Sequence, residues 1–213
     1  MRSVASLIPE PNAVLAIWVD VDPTDEGQLV HWHSREHVQE RVGCPGWLRG
    51  SRFRSVERPG RFLLFYEAGT TAAFASEAYY ARLRNPTALS RAMFPKFRET
   101  WRTVCSVERR GGDGIAAAAL TVRCDVGAFD VLAAQGPARI DLLRGEPSVG
   151  QAHTAEKDLR PAPDRQIDRA IVAFFWTVAD ATAARDAHAP AGEIFVLQHT
   201  VSKDDLASCS SPS

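Results

Sequence analysis

Two apolar runs, Arg61–Ala68 (RFLLFYEA) and Arg169–Val178 (RAIVAFFWTV), occupy matching places about 100 residues apart. Each is apolar at nearly every position, as a central strand covered on both faces must be. Two such strands in one chain call for a large covered sheet, so the segments around each run decide the fold.

Around the first run the order reads β-α-β-β-α-β. Ala13–Val21 (AVLAIWVDV) has the β-branched and aromatic content of a strand, and Asp22-Pro23 stops it. Thr24 is placed to cap a helix that carries Asp25 and Glu26 in its first turn and runs to Val42, where Gly43 and Pro45 end it. A half-wet strand follows from Trp47 to Val56, then the turn ERPG and the first dense run. A helical region from Thr71 to Trp101, broken near Asn85-Pro86, leads to an alternating strand, Arg102–Arg109. This is the split βαβ unit called ferredoxin-like.

After the linker GGDG at 111–114, the same order is read again: strand Ile115–Asp125, helix Val126–Leu143, strand Ser148–Leu159, the dense strand, a short helix capped by Asp180, and strand Glu193–Ser202. The expected fold is therefore α+β, with tandem ferredoxin-like (β-α-β-β-α-β) repeats. A lone four-stranded sheet with both helices on one face exposes its other face, and a second copy in the same chain covers it. Residues 1–110 and 111–203 form the two expected halves, with 204–213 as a loose tail. Two sheets packed this way enclose a barrel-like space, and ligands are expected in its cavity or mouth.

Charge narrows the function. Of the 213 residues, 25 are Lys or Arg and 26 Asp or Glu, a net charge of -1 with the two signs interleaved, which excludes the basic stripe of a nucleic-acid binder. No stretch reaches the ~18 apolar residues of a membrane helix, and Met1–Asn12 lacks a secretory apolar core, so a cytoplasmic protein is expected. Cys44, Cys105, Cys124 and Cys209 show no CxxC spacing, and neither a zinc site nor a disulfide framework is expected.

The chemistry concentrates in His31–Arg41, HWHSREHVQER. At 100° per residue His33, His37, Glu40 and Arg41 share one helix face, and His31 points nearly opposite. Two imidazoles one turn apart beside a carboxylate and a guanidinium suit proton transfer near neutral pH. The same spacing also suits a metal with Glu36 or Glu40 as a further ligand, and His33–His37 matches the H-x-x-E-H string. No downstream acid completes that site, and no metal is expected. The plain alternative is a set of i,i+4 pairs on a helix surface. Tyr66, Glu67, Tyr79, His153 and His199 are weaker candidates. A buried Glu67 would need a partner such as Arg52 or Arg54.

The stretch W-x-x-x-E-H-V-x-E-R-V-x-C-P-G-W-L-x-G-S-R-F (Trp32–Phe53), P-x-R-F-L-L-F-Y-E (Pro59–Glu67), S-x-A-Y (Ser76–Tyr79) and N-P-T (Asn85–Thr87) resembles a largely uncharacterised bacterial family of the dimeric α/β-barrel superfamily. The likeness spans roughly residues 12 to 110 and fades in the second half. It implies an intrachain version of that dimeric barrel, and a motif on Glu36, His37, Glu40, Arg41, Pro45, Gly46 and Arg52. The superfamily includes muconolactone isomerases, polyketide cyclases, quinol monooxygenases and haem-binding chlorite dismutase relatives, so it does not fix a reaction. The expectation is a cofactor-independent isomerase, cyclase or monooxygenase acting on a small compound. His37 is the acid/base and Arg41 the anchor for an anionic oxygen, with Glu36 and Glu40 as flanking carboxylates. Arg52, Tyr66, Trp18 and His33 are expected to contact substrate. The alternative is a non-catalytic binding or accessory protein for a small hydrophobic ligand or haem. Either way the partner is a small molecule, not nucleic acid or membrane, and the chain is a pseudo-dimeric monomer or a homodimer.

Overall fold

A computed structural model describes residues 11–123 and 126–208. The leader up to residue 10, Cys124 and Cys209, read above from the sequence, lie outside the described residues. Eight antiparallel strands close a barrel: β1 (Ala13–Asp20), β2 (Trp47–Ser55), β3 (Arg61–Ala68), β4 (Arg98–Gly112), β5 (Ala118–Arg123), β6 (Arg139–Gly145), β7 (Arg169–Phe175) and β8 (Glu193–Ser202). Their order around the barrel is β1-β3-β2-β8-β5-β7-β6-β4. Each half thus contributes the same sequence of neighbours, β4-β1-β3-β2 and β8-β5-β7-β6, joined by the seams β2–β8 and β4–β6.

Strand alternation sends successive side chains to opposite faces of the wall. Val14, Ala16 and Trp18 of β1, Leu63 and Phe65 of β3, and Val172 and Phe174 of β7 point inward and form one core with Phe53, Leu143 and Phe195. The interior is filled by these side chains, which corrects the expectation of a ligand cavity inside the barrel. Salt bridges close both ends. At one end Arg61 holds Asp20 at 2.8 Å and Glu193 at 2.9 Å. At the other, Arg139 holds Glu67 at 2.7 Å and also pairs with Asp141, which Arg110 holds at 2.7 Å. Glu67 therefore finds Arg49 and Arg139, not Arg52 or Arg54.

The outward residues of β1 and β3, Leu15, Ile17, Leu64 and Tyr66, pack under the first-half helices. The first helix is not one uniform rod. Asp22, rather than Thr24, caps a 3-10 turn at Pro23–Asp25, followed by α1 (Glu26–Trp32), a π turn (His33–His37) and α2 (Val38–Val42). Ser76 caps α3 (Glu77–Arg84) and Thr87 caps α4 (Ala88–Met93). β4 starts at Arg98, inside the stretch expected to be helical up to Trp101.

The second half departs further from expectation. Its first helix, α5 (Phe129–Ala133), has five residues, and 139–143, expected as the end of that helix, lies in strand β6 (Arg139–Gly145). The expected strand 148–159 is a loop with the short α6 (Ala155–Asp158). Ile140 and Leu142 alternate with Arg139, Asp141 and Leu143, and the buried charges on the inner face disguise the strand. Thr177, not Asp180, caps α7 (Val178–His188). Residues Lys203–Ser208, expected as loose tail, form α8, and Lys203 donates to the carbonyls of Val42, Gly43 and Cys44. No helix among the described residues is long and apolar enough to cross a membrane.

Segment 146–168, between β6 and β7, straps back over the first half. β6 pairs only with Cys105–Gly112 of β4. The remainder of that edge is met by the strap, through Glu146 N–H to Val104 O (2.8 Å), Arg102 N–H to Arg165 O (2.9 Å) and Arg165 N–H to Thr100 O (2.9 Å).

Candidate functional site

The π turn inserts its wide backbone loop where the two histidines lie, a feature that recurs at functional sites. His33 and His37 are both buried, with ring centroids 6.1 Å apart. His31 is exposed on the opposite face, as the helical spacing predicts. The two buried rings do different things. His33 shares a hydrogen bond of 2.9 Å between Nε2 and the Tyr66 hydroxyl, while its Nδ1 lies 3.2 Å from Arg52 Nη1. Arg52 also donates to Ser34 Oγ (2.8 Å), Val30 O (3.3 Å) and Gln198 Oε1 (3.0 Å). An arginine with no carboxylate partner among these is costly to bury, and burial pulls it down to about 10.

His37 stacks on Trp32 at 4.1 Å and lines a slim hollow between the outer face of the sheet and the helices. Leu15, Ile17 and Leu64 floor that hollow, and Tyr66, Tyr79, Phe94, Arg41 and Arg102 help to wall it. Its volume is about 10 Å3, room for roughly one water. Burial, then Arg41, then His33 push the His37 pKa well below the usual histidine range. His37 is therefore a neutral imidazole at pH 7. Arg41 Nε donates to its Nε2 at 3.4 Å, a long bond, and its Nδ1 has no partner.

Arg41 also pairs with Glu156 of the strap, with both side chains about 4% exposed. Burial opposes the Arg41 charge, but Glu156, Tyr79, Tyr66 and Glu40 together more than offset it and the pKa rises. Arg41 Nη1 is left without a partner, as is the Thr154 hydroxyl next to Glu156 in the strap. Glu156 takes a second bond from Arg160 at 3.1 Å, and Arg160 pairs in turn with Asp164. On the sheet side Arg102 donates to the Tyr79 hydroxyl at 2.9 Å.

Of the expected residues, the structure brings His37, Arg41 and Tyr66 to the hollow, with His33 and Arg52 behind Tyr66. Glu36 accepts from Thr87 and is not among the lining residues. Glu40 is half-buried, with its pKa raised by desolvation, and is also not among them. Trp18 points into the barrel, where its indole donates to Thr121 at 3.1 Å. His153 is exposed on the strap, beside Asp158. Glu156, Arg160 and Arg102 were not singled out from the sequence. The strap reads there as strand and loop, and only the tertiary fold carries Glu156 to a residue 115 positions away.

Among the described residues no group of three His, Cys, Asp or Glu is placed to hold a metal. A haem does not fit either. The hollow beside His37 is the size of one water, and the ring is already wedged between Trp32 and Arg41.

No family model matches the sequence, and no curated protein does. Solved structures match in fold. An anthrone oxidase-like protein superposes with a TM-score of 0.59 at 13% identity, over 92% of this chain and 95% of its own. A provisionally assigned monooxygenase from Fusobacterium nucleatum gives 0.50 at 9% identity, over 91% and 96%. The fold is that of the α/β-barrel proteins. Within this α/β barrel, the His37 hollow lies on the outer face of the wall, under the helices, and not in the filled interior.

Proposed function

We propose that this α/β barrel is a tandem ferredoxin-like protein, with halves at 1–110 and 111–203, that catalyses proton transfer on a small carbonyl-bearing or aromatic compound without a cofactor. Isomerisation, cyclisation or oxygenation would follow from the anion so formed. One observation carries the reading: a buried, neutral His37 whose Nδ1 is unpartnered lies beside a buried Arg41 with an unpartnered Nη1. Unsatisfied buried donors and acceptors are costly, and they persist where a ligand completes them.

The hollow has room for one water, so in this reading the body of the substrate lies in the larger space between β4 and the strap. Only its reacting end reaches the hollow, where His37 Nδ1 takes a proton from it and Arg41 Nη1 donates to the oxygen on which negative charge develops. Arg41 Nε donates to Nε2 only when the ring proton is on Nδ1, so Nδ1 acts as the base in the other tautomer, which carries Nε2–H and makes no hydrogen bond across the 3.4 Å to Arg41 Nε. The fixed guanidinium offsets the anion, and the returned proton completes the cycle. Trp32, stacked on the ring, orients it, and Tyr66 walls the site.

The test is solvent deuterium incorporation into a panel of cyclic ketones and phenols, followed by NMR. This reads proton transfer whatever the complete reaction is. His37→Gln should reduce exchange at least ~100-fold, and His31→Gln should leave it unchanged. Absence of exchange across the panel, or exchange indifferent to His37→Gln, overturns the proposal.

A further inference from the structure

A second cavity, of about 260 Å3, opens between β4 and the strap and shares Arg102 and Arg160 with the hollow. Its wall also carries Lys157, Glu146 and Asp164. The charges that line the two spaces do not balance. Arg41 and Arg160 share Glu156, and Arg160 also holds Asp164. Glu146 is engaged by Ser106 and Arg144. That leaves two cations with no carboxylate within ion-pair distance among the described residues. Arg102 is buried and bonds only the Tyr79 hydroxyl with its side chain. Lys157 is half-buried and donates to the Gly150 carbonyl at 2.9 Å. The Nε of Arg160 is also unpartnered. Burying cations without counter-charge is unfavourable, so such a cluster is a ready receptor for an anion.

We infer that this chamber binds the carboxylate of a small organic acid, held by Arg102, Lys157 and Arg160, with the acid's flat apolar end against Val104, Val149 and Pro163 of the same chamber. Two observations select that class. The volume suits a small ligand, and the chamber that carries the cations is also lined by the apolar side chains of Val104, Val149 and Pro163. Desolvation together with Arg102 and Arg160 already lowers the Lys157 pKa, the strain that a bound anion would relieve. As a statement of substrate class this rests on the proton-transfer reading; as a binding site it stands on the chamber alone.

Isothermal titration of the full chain with benzoate, benzamide and inorganic phosphate tests it. Benzoate should bind at least tenfold more tightly than benzamide, which has the same shape without the charge, and more tightly than phosphate, which lacks the apolar end. Lys157→Gln, at a half-buried position, should lose at least fivefold of the benzoate affinity with an unchanged melting temperature. Arg102→Met should lose the discrimination between benzoate and benzamide. His37→Gln should retain benzoate binding, so loss of exchange with binding intact separates failure of the proton-transfer reading from failure of this one. Equal affinity for benzoate and benzamide, phosphate binding as tight as benzoate, or no benzoate binding at millimolar concentration overturns the inference.

Discussion

At the residue scale, the buried charges are the exposed flank of this structure. Arg139 is about 1% exposed, and it neutralises Glu67 and Asp141, both fully buried. Arg139→Met should therefore destabilise the protein by about 3 kcal/mol in denaturant unfolding, because it takes one of two arginines from each of two buried carboxylates and leaves Glu67 to Arg49 and Asp141 to Arg110. Histidine burial sets a pH dependence. Burial holds the pKa of His33 and His37 well below 6.5 in the folded chain, whereas the unfolded chain protonates both near 6.5. The unfolded state binds more protons as the pH falls below about 6.5, so folding stability is lost in that direction, by up to about 1.4 kcal/mol per pH unit for each histidine. Chemical denaturation at pH 7.5 and 5.5 should show the loss, and His33→Gln with His37→Gln should reduce the slope. The nearness of His37 to Arg41 was legible because an i,i+4 spacing is a local fact, whereas Glu67's partner was misread. Strand alternation turns Arg52 outward and Glu67 inward, and the sequence alone does not say which register each strand takes.

At the element scale, the π turn carries one residue more than an α-helix would need. Deleting the exposed Arg35 should restore regular helix, keep the far-ultraviolet circular dichroism, and rotate His37 out of line with Tyr66, so that deuterium exchange is lost. Tight turns give a second contrast. Gly60 and Gly114 both have positive φ, +78° and +81°, but a Cβ at Gly60 would lie 2.1 Å from the Val21 carbonyl oxygen, while at Gly114 it meets nothing within 4 Å. Gly114→Ala should cost about 1–2 kcal/mol for the left-handed backbone alone, and Gly60→Ala clearly more, both read from thermal midpoints. The dense strands β3 and β7 and the alternating β8 were legible, since their patterns are intrinsic. β6 was not: with Arg139 and Asp141 turned inward, its hydrophobic alternation is broken by charges that pair only in the folded barrel.

At the scale of the whole molecule, neither sheet has an independent inner core. Phe53 and Phe65 of one half meet Phe174 of the other at 5.9 and 5.6 Å, and the seams β2–β8 and β4–β6 supply the edge pairing of each sheet. Chains ending or beginning near Gly114 should aggregate or self-associate when made singly and should recover a soluble complex when co-expressed, as size-exclusion chromatography would show. The two dense central strands, β3 and β7, and their spacing were legible. The crossing of the strap was not, because a loop's destination depends on where the barrel closes. That crossing has an arithmetical consequence. The histidine–arginine pair occurs once, on the first half, and the carboxylate that meets it comes from the second, so the two halves make one pocket between them. Titration of any ligand of that pocket should saturate at one equivalent per chain along a simple hyperbola, with no cooperativity to be found inside a single barrel.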